Sequence, residues 1–264
     1  GDLEAAIESY KQAIKIKSAY ADAYNNMGNA LNDKGDVEAA INSFKQALKI
    51  KPDFADAYNN MGVALNDKGE VEAAIDSFKQ ALKIKPDFAD AYNNMGIALN
   101  DKDDVEAAID SFKQALKIKP DYAKAYNNMG NALKDKGDLE AAIDSFKQAL
   151  RIKPDFAGAW NNLIFPLQAM KLQIPDIEDL LSTINPKAGS KYVQIAKSVL
   201  SFSLHQGGKN ADSALNKVCS LLSKADKRII CNPEVTKKET LSQIIGPNKT
   251  VALVHFGRSG TGLL

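Results

Sequence analysis

Paired carboxamides return along this chain every 34 residues, as Asn25-Asn26, Asn59-Asn60, Asn93-Asn94 and Asn127-Asn128, and Asn162 continues the second row. A carboxamide offers both donors and acceptors, so one side chain can pair with both polar groups of a peptide unit. A row of them could hold an extended polypeptide by its backbone with little sequence preference. The copies are nearly identical, however, so any residue present once is present four times. A solvated polar face explains the same rows, and both readings stand at this level.

A second stretch with chemical potential lies at residues 249–264. Residues 250–256 read as a strand pattern and run into Gly257, Arg258, Ser259, Gly260, Thr261 and Gly262. A strand, a glycine-rich turn and a helix start aim backbone N–H groups at phosphate. No Lys-Ser/Thr follows the last glycine, so the P-loop form is excluded, and the dinucleotide GxGxxG spacing fails. His255 reads as a strand residue and His205 as a helix-end residue. Cys219 and Cys231 stand apart from any CxxC or His cluster, which reads as reduced thiols in a cytoplasmic protein and no metal site.

Net charge is +1, which gives no electrostatic reason to expect nucleic acid or an anionic membrane as partner. No apolar run reaches the roughly 20 residues of a spanning helix. Gly1 matches the turn residue Gly35 of the first full copy, so the chain reads as starting mid-repeat, a piece of something longer.

The elements that position the amides follow from a short-period repeat, the mark of stacked supersecondary units. Each copy carries two helical patterns, spanning residues 55–67 and 71–85 in the second copy, with a Lys68-Gly69 turn and Pro86 closing the unit. At about 100° per residue, Tyr58, Met61, Gly62 and Leu65 share one face, and Asp56, Asn59, Asn60, Val63 and Asp67 share the other. Ala74, Phe78 and Ala81 complete the packed side. In the third copy Asp103 replaces the turn glycine, a residue that tolerates the left-handed region.

These residues resemble the tetratricopeptide repeat pattern: Tyr24, Met27, Gly28, Leu31, Ala40, Phe44, Ala47 and Pro52, repeated in four consecutive copies. The resemblance implies an all-α fold, an α-solenoid in which antiparallel helix pairs wind into a right-handed superhelix with the first helices lining a concave groove. It covers residues 1–167: a half repeat at 1–20, full repeats at 21–54, 55–88, 89–122 and 123–156, and a degenerate one at 157–167. There Trp160 and Leu163 fit, Ile164 replaces the close-packing glycine, and Pro166 intrudes. Residues 168–248 keep helical patterning without the period and are expected to form a cap. The second amide row resembles the asparagine row of O-linked N-acetylglucosamine transferases, which holds acceptor proteins.

The inner face carries Asp22, Asp56, Asp90, Asp33, Asp67, Asp101 and Asp135 against Lys124 and Lys134, a net of −5 that suits neutral or basic segments. The basic set with which chaperone-binding relatives clamp a C-terminal carboxylate is missing. Arg258, Ser259, Gly260 and Thr261 resemble the 5′-phosphosulfate loop of sulfotransferases, with Gly262 where a second Thr is usual. That resemblance implies 3′-phosphoadenosine 5′-phosphosulfate as the cofactor of a longer parent, with no catalysis and no cofactor in this fragment. The expected function is therefore a peptide-binding scaffold using Asn25, Asn26, Asn59, Asn60, Asn93, Asn94, Asn127, Asn128 and Asn162, recruiting acceptors for a sulfotransferase. A purely structural or self-assembling scaffold is the alternative, with self-contact through Leu3, Ile7, Tyr10 and Ile14 if the half repeat leaves them uncovered.

Overall fold

The computed structural model describes residues 2–170, and among them every regular element is a helix. In chain order these are α1 (Leu3–Ile16), α2 (Ala21–Lys34), α3 (Val37–Ile50), α4 (Ala55–Asp67), α5 (Val71–Ile84), α6 (Ala89–Asp101), α7 (Val105–Ile118), α8 (Ala123–Lys136), α9 (Leu139–Ile152) and α10 (Ala157–Ala169). They belong to two compact units, Gly1–Ala132 and Leu133–Leu264. The first holds α1 to α7 and all but the last turn of α8. The second holds that turn with α9 and α10.

The turn inside each copy explains why a helix stops and reverses there. Gly35 sits at φ 89°, which costs a residue without Cβ nothing. Its N–H donates to the Asn32 carbonyl, and the Asp36 N–H donates to the Leu31 carbonyl, both at 2.9 Å. Carbonyls that the end of α2 would leave unpaired are thereby satisfied. Asp36 then starts α3, its carboxylate accepting from the Ala39 N–H at 3.4 Å. Asp103 adopts φ 64°, so the third turn keeps its shape without glycine.

Within the first unit, α2 pairs with α3, α4 with α5 and α6 with α7, and the first helices also touch one another, α2 on α4 and α4 on α6. Close approach inside a pair depends on glycine. A Cβ built on Gly62 would stand 2.6 Å from Phe78 Cε1, and one on Gly28 only 2.5 Å from the equivalent atom of Phe44. The rings occupy the space those side chains would need. Phe44 and Phe78 are 1% exposed and share a core with Ala40, Ile41, Ala64, Leu65, Ala74, Ile75 and Ala98. That list crosses the boundary between copies, as expected for units that cannot bury an apolar face alone.

One expectation needs correction, and one element runs further than its pattern indicates. The apolar side of α1 is not left bare: Ile7 is buried and Leu3, Tyr10 and Ile14 are half-buried because α1 packs on α2. The exposed apolar residue of α1 is Ile16, at 88%. In the second unit α10 does not stop at Pro166 but runs through it to Ala169, the Met170 N–H reaching the Pro166 carbonyl at 3.0 Å. Proline cannot donate to the preceding turn, yet its neighbours Leu163 and Leu167 are fully buried and hold the helix in place. The expected cap at 168–248 lies outside the described residues from residue 171 onward. So do the strand pattern at 250–256, the loop residues Arg258, Ser259, Gly260, Thr261 and Gly262, both histidines, both cysteines and the side chain of Ile164.

Candidate functional site

The amides stand on the first helices, one turn inside each N-terminus. Neighbours in sequence are about 100° apart around a helix, so the two rows meet different surroundings. Asn25, Asn59, Asn93 and Asn127 are buried, at 6%, 7%, 4% and 8% exposure, and the first three meet the following copy. Asn60, Asn94 and Asn128 are half-buried and Asn26 is exposed. Sequence reasoning treated both rows as lining, but they are not equivalent.

Buried amides must find partners, and these find one another. Asn60 Nδ2 donates to Asn25 Oδ1 at 3.1 Å, Asn94 to Asn59 at 3.0 Å and Asn128 to Asn93 at 3.0 Å, each bond crossing from one copy to the one before it. Within each helix the buried amide donates to its outer neighbour: Asn25 to Asn26 at 3.3 Å, Asn59 to Asn60 and Asn93 to Asn94 at 3.2 Å, Asn127 to Asn128 at 3.5 Å. The two rows thus form one continuous chain of amide hydrogen bonds. By the inventory of two donors and two lone pairs per carboxamide, Asn60, Asn94 and Asn128 each keep one N–H and one lone pair uncommitted. Asn162, in the second unit, is half-buried on α10 and has a partner of its own.

Carboxylates flank the amides and are held in position. Asn32 Nδ2 reaches Asp67 Oδ2 at 3.3 Å and Asn66 Nδ2 reaches Asp101 Oδ2 at 2.9 Å, again linking successive copies. The Tyr122 hydroxyl donates to Asp90 Oδ1 at 2.6 Å. Burial of the phenol, and then its bond to Asp90, push the Tyr122 pKa well above the usual range. Asp22, Asp56 and Asp90 are exposed, and in the same position of the fourth copy stands Lys124. In the second unit Lys134 and Asp135 pair at 3.5 Å, so they cancel locally. Sequence reasoning missed Asn32, Asn66 and Tyr122; the spacing of 35 from Asn32 to Asp67, and again from Asn66 to Asp101, was the available signal.

Ion pairs form a second ladder between successive copies. Lys34 meets Glu4 at 3.0 Å, Lys68 meets Glu38 at 2.6 Å and Lys102 meets Glu72 at 3.4 Å. The hydrogen bond from Lys68 holds the Glu38 carboxyl below its usual range. Ahead of each first helix a lysine caps an aromatic face, as Lys51 does over Phe54 and Lys85 over Phe88, both at 4.5 Å from the ring centroid. The ion pairs link successive copies. Among the described residues there is no group of three or more His, Cys, Asp or Glu able to hold a metal ion. No helix among them is long and apolar enough to cross a membrane.

The profile described as "TPR repeat" matches residues 1–33, 28–67, 64–103 and 98–137, and the one described as "Tetratricopeptide repeat" matches residues 123–156. No curated protein matches in sequence. Among solved structures, MamA is 30% identical with a TM-score of 0.54, covering 60% of this chain and 92% of its own. YrrB, described as a TPR protein with an unusual peptide-binding site, is 23% identical with a TM-score of 0.53, covering 69% and 95%. PilF of Pseudomonas aeruginosa is 19% identical with a TM-score of 0.59, covering 77% and 89%. The last two share the fold alone. Profile matches that run unbroken through residues 1–137, on helices paired as described above, establish that this chain belongs to the tetratricopeptide repeat family.

Proposed function

We propose that the face shared by α2, α4, α6 and α8 is a groove that binds an extended segment of a protein partner by its backbone. The observation that carries this reading is the amide chain. Asn60, Asn94 and Asn128 are each held at both ends yet keep one donor and one acceptor, the pair a peptide unit requires. Fixing these side chains in advance lowers the ordering cost of binding. The flanking aspartates favour a neutral or basic segment. YrrB offers a precedent for peptide binding on this fold. The setting we propose is cytoplasmic, with neither nucleic acid nor membrane as partner.

The test is capture of a fluorescent Lys/Thr peptide by the wild type and by the triple variant Asn60→Ala, Asn94→Ala, Asn128→Ala, with helicity checked by circular dichroism. Capture should fall at least tenfold. Because the triple variant also breaks the amide chain, a second variant, Asp56→Asn with Asp90→Asn, leaves that chain intact and should weaken capture in a salt-dependent way. Capture unchanged in both variants would reject the groove.

The finer reading places this scaffold upstream of a sulfotransferase domain, to which it would present acceptor proteins, with 3′-phosphoadenosine 5′-phosphosulfate as cofactor there. It is supported by the sequence Arg258-Ser259-Gly260-Thr261 after a strand pattern, and by the order of repeats followed by that loop. The test is to read the gene past the codon for Leu264: without a further phosphate-binding strand-helix unit encoded there, the reading fails. The alternative of a self-assembling scaffold draws support from Ile16, exposed at 88%. Ile16→Lys should shift sedimentation toward monomer if that contact operates, and no shift would remove it.

A further inference from the structure

We infer that the buried row Asn25, Asn59, Asn93 and Asn127 positions the outer amides so that a bound chain is accepted in one direction only, its N-terminus toward Asn128 and its C-terminus toward Asn26. The inference rests on the reading that this face binds an extended polypeptide.

The hydrogen bonds of the amide chain all point one way. Donation passes from Asn127 to Asn128, on to Asn93, Asn94, Asn59, Asn60, Asn25 and finally Asn26. At every outer residue, therefore, Oδ1 is turned toward the buried amide of its own helix and Nδ2 toward the copy before. Asn60, Asn94 and Asn128 repeat this orientation without exception, so the vector from oxygen to nitrogen points toward α2 at each site. An extended residue presents its N–H and its C=O on one edge, and the N–H comes first along the chain. A carboxamide that pairs with this edge sets its oxygen against the N–H and its nitrogen against the C=O. The ligand must then run as the oxygen-to-nitrogen vector runs, from α8 toward α2. A reversed chain would set donor against donor and acceptor against acceptor at each copy.

The buried residues impose that orientation, because each outer amide is held by one on both sides. An aspartate there would still accept from the next copy but could donate nothing to its own neighbour. The outer amide would lose the bond to its oxygen and become free to turn over.

The probe is an acetylated, amidated peptide of alternating Lys and Thr. About 12 residues suffice for four copies, since packed helices lie about 8–10 Å apart and an extended residue rises about 3.3 Å. Alternation makes the side chains nearly indifferent to reversal, so any preference for direction comes from the backbone. A nitroxide is placed at one end or the other, and methyl signals of Met27 on α2 and Met129 on α8 are read in the full chain. An N-terminal label should broaden Met129 and spare Met27, and a C-terminal label should do the reverse. The opposite pattern, or broadening of both methyls by either label, overturns the inference while leaving peptide binding intact. No saturable broadening overturns the binding reading itself. In Asn59→Asp with Asn93→Asp, affinity should fall as the outer amides lose their fixed orientation, and at saturating peptide the preference for one end should be lost. Asn93→Ser, a milder change, should lose part of it. Full preference retained in folded variants would end the positioning role.

Discussion

The contact between Gly62 and Phe78 allows a prediction whose sign depends on packing against propensity. Replacing glycine by alanine inside a helix normally stabilises it by about 1 kcal/mol. Here the new Cβ would lie 2.6, 2.8 and 2.9 Å from three atoms of the Phe78 ring, and ordinary contact begins near 3.4 Å. The ring is 1% exposed and enclosed by Ala40, Ile41, Ala64 and Ala74, so it has no free volume to retreat into. Overpacking of this kind costs about 1–3 kcal/mol. With the ring enclosed, the repulsion should lie in the upper part of that range, about 2–3 kcal/mol, exceed the propensity gain, and leave Gly62→Ala destabilising by about 1–2 kcal/mol net. Phe78→Ala alone should cost about 3–5 kcal/mol. In that background the obstruction is gone, and Gly62→Ala should turn stabilising by about 1 kcal/mol, a coupling of about 2–3 kcal/mol between the two sites. Urea unfolding followed by far-ultraviolet circular dichroism measures all four corners of the cycle. Stacked copies need not unfold in one step, so amide exchange within α4 and α5 localises the effect. A Gly62→Ala change that stabilises the wild type, or that costs the same with and without the Phe78 ring, would refute the reasoning.

Other perturbations test other parts of the same structure. Asn59→Ala removes a donor to Asn60 and an acceptor for Asn94; leaving buried amide groups unpaired should cost about 1–3 kcal/mol in urea unfolding, and a cost near zero would mean the chain of bonds is dispensable. Tyr122→Phe deletes the bond to Asp90 and reproduces the residue found at Phe54 and Phe88, for a loss of about 0.5–1.5 kcal/mol near neutral pH. Because the folded Tyr122 pKa is raised, its contribution is complete below the unfolded value of about 10 and fades as pH rises through the folded value. Wild type and variant should thus converge in strongly alkaline solution, and a constant gap would contradict the shift. Lys68→Met should let the Glu38 carboxyl move upward, back toward the usual carboxylate range, in an NMR titration; an unmoved value would deny the ion pair. Asp103→Gly relieves a non-glycine φ of 64° and should raise the urea midpoint, the gain of up to about 1 kcal/mol being limited by the looser unfolded chain.

Most of the fold could be read from the residues because local and long-range signals agree. Gly69, Pro86 and the helical spacing of Tyr58, Met61 and Leu65 bound α4 and α5 to within a residue of their observed ends, Asp67 and Ile84. The near-contact of Gly62 and Phe78 was legible for the same reason: a residue without a side chain opposite a large ring is a volume argument. The amide site was less so. Asn59 and Asn60 are the same residue type at adjacent positions, and nothing local separates them. Only the arrival of α2 and α6 on either side of α4 decides that one is enclosed and the other is not. The lysines over Phe54 and Phe88 repeat a Lys-Pro-Asp-Phe spacing that was visible but does not by itself show which side of the chain the ring faces. Pro166 interrupts the repeat pattern but not the helix, which burial of Leu163 and Leu167 carries past it.

A buried row of asparagines is costly compared with leucine unless the polar atoms do something that apolar contact cannot. Hydrophobic residues at positions 25, 59, 93 and 127 would bury similar area without needing partners, at about 25 cal/mol per Å² of apolar surface removed from water. They would also be indifferent to slippage or rotation between successive first helices. Amides are not. Each of the bonds Asn60 to Asn25, Asn94 to Asn59 and Asn128 to Asn93 is made only when neighbouring helices stand at one offset, and a wrong offset leaves two buried groups unpaired. Geometry is thus checked at every step along a stack whose near-identical copies would otherwise tolerate error. The same bonds orient the outer amides, so regular spacing and presentation of the groove arise from one device. Leucine in place of all four buried amides should then preserve or raise stability while abolishing directional peptide binding. A Leu variant that keeps the directional preference would show that spacing and presentation are set elsewhere.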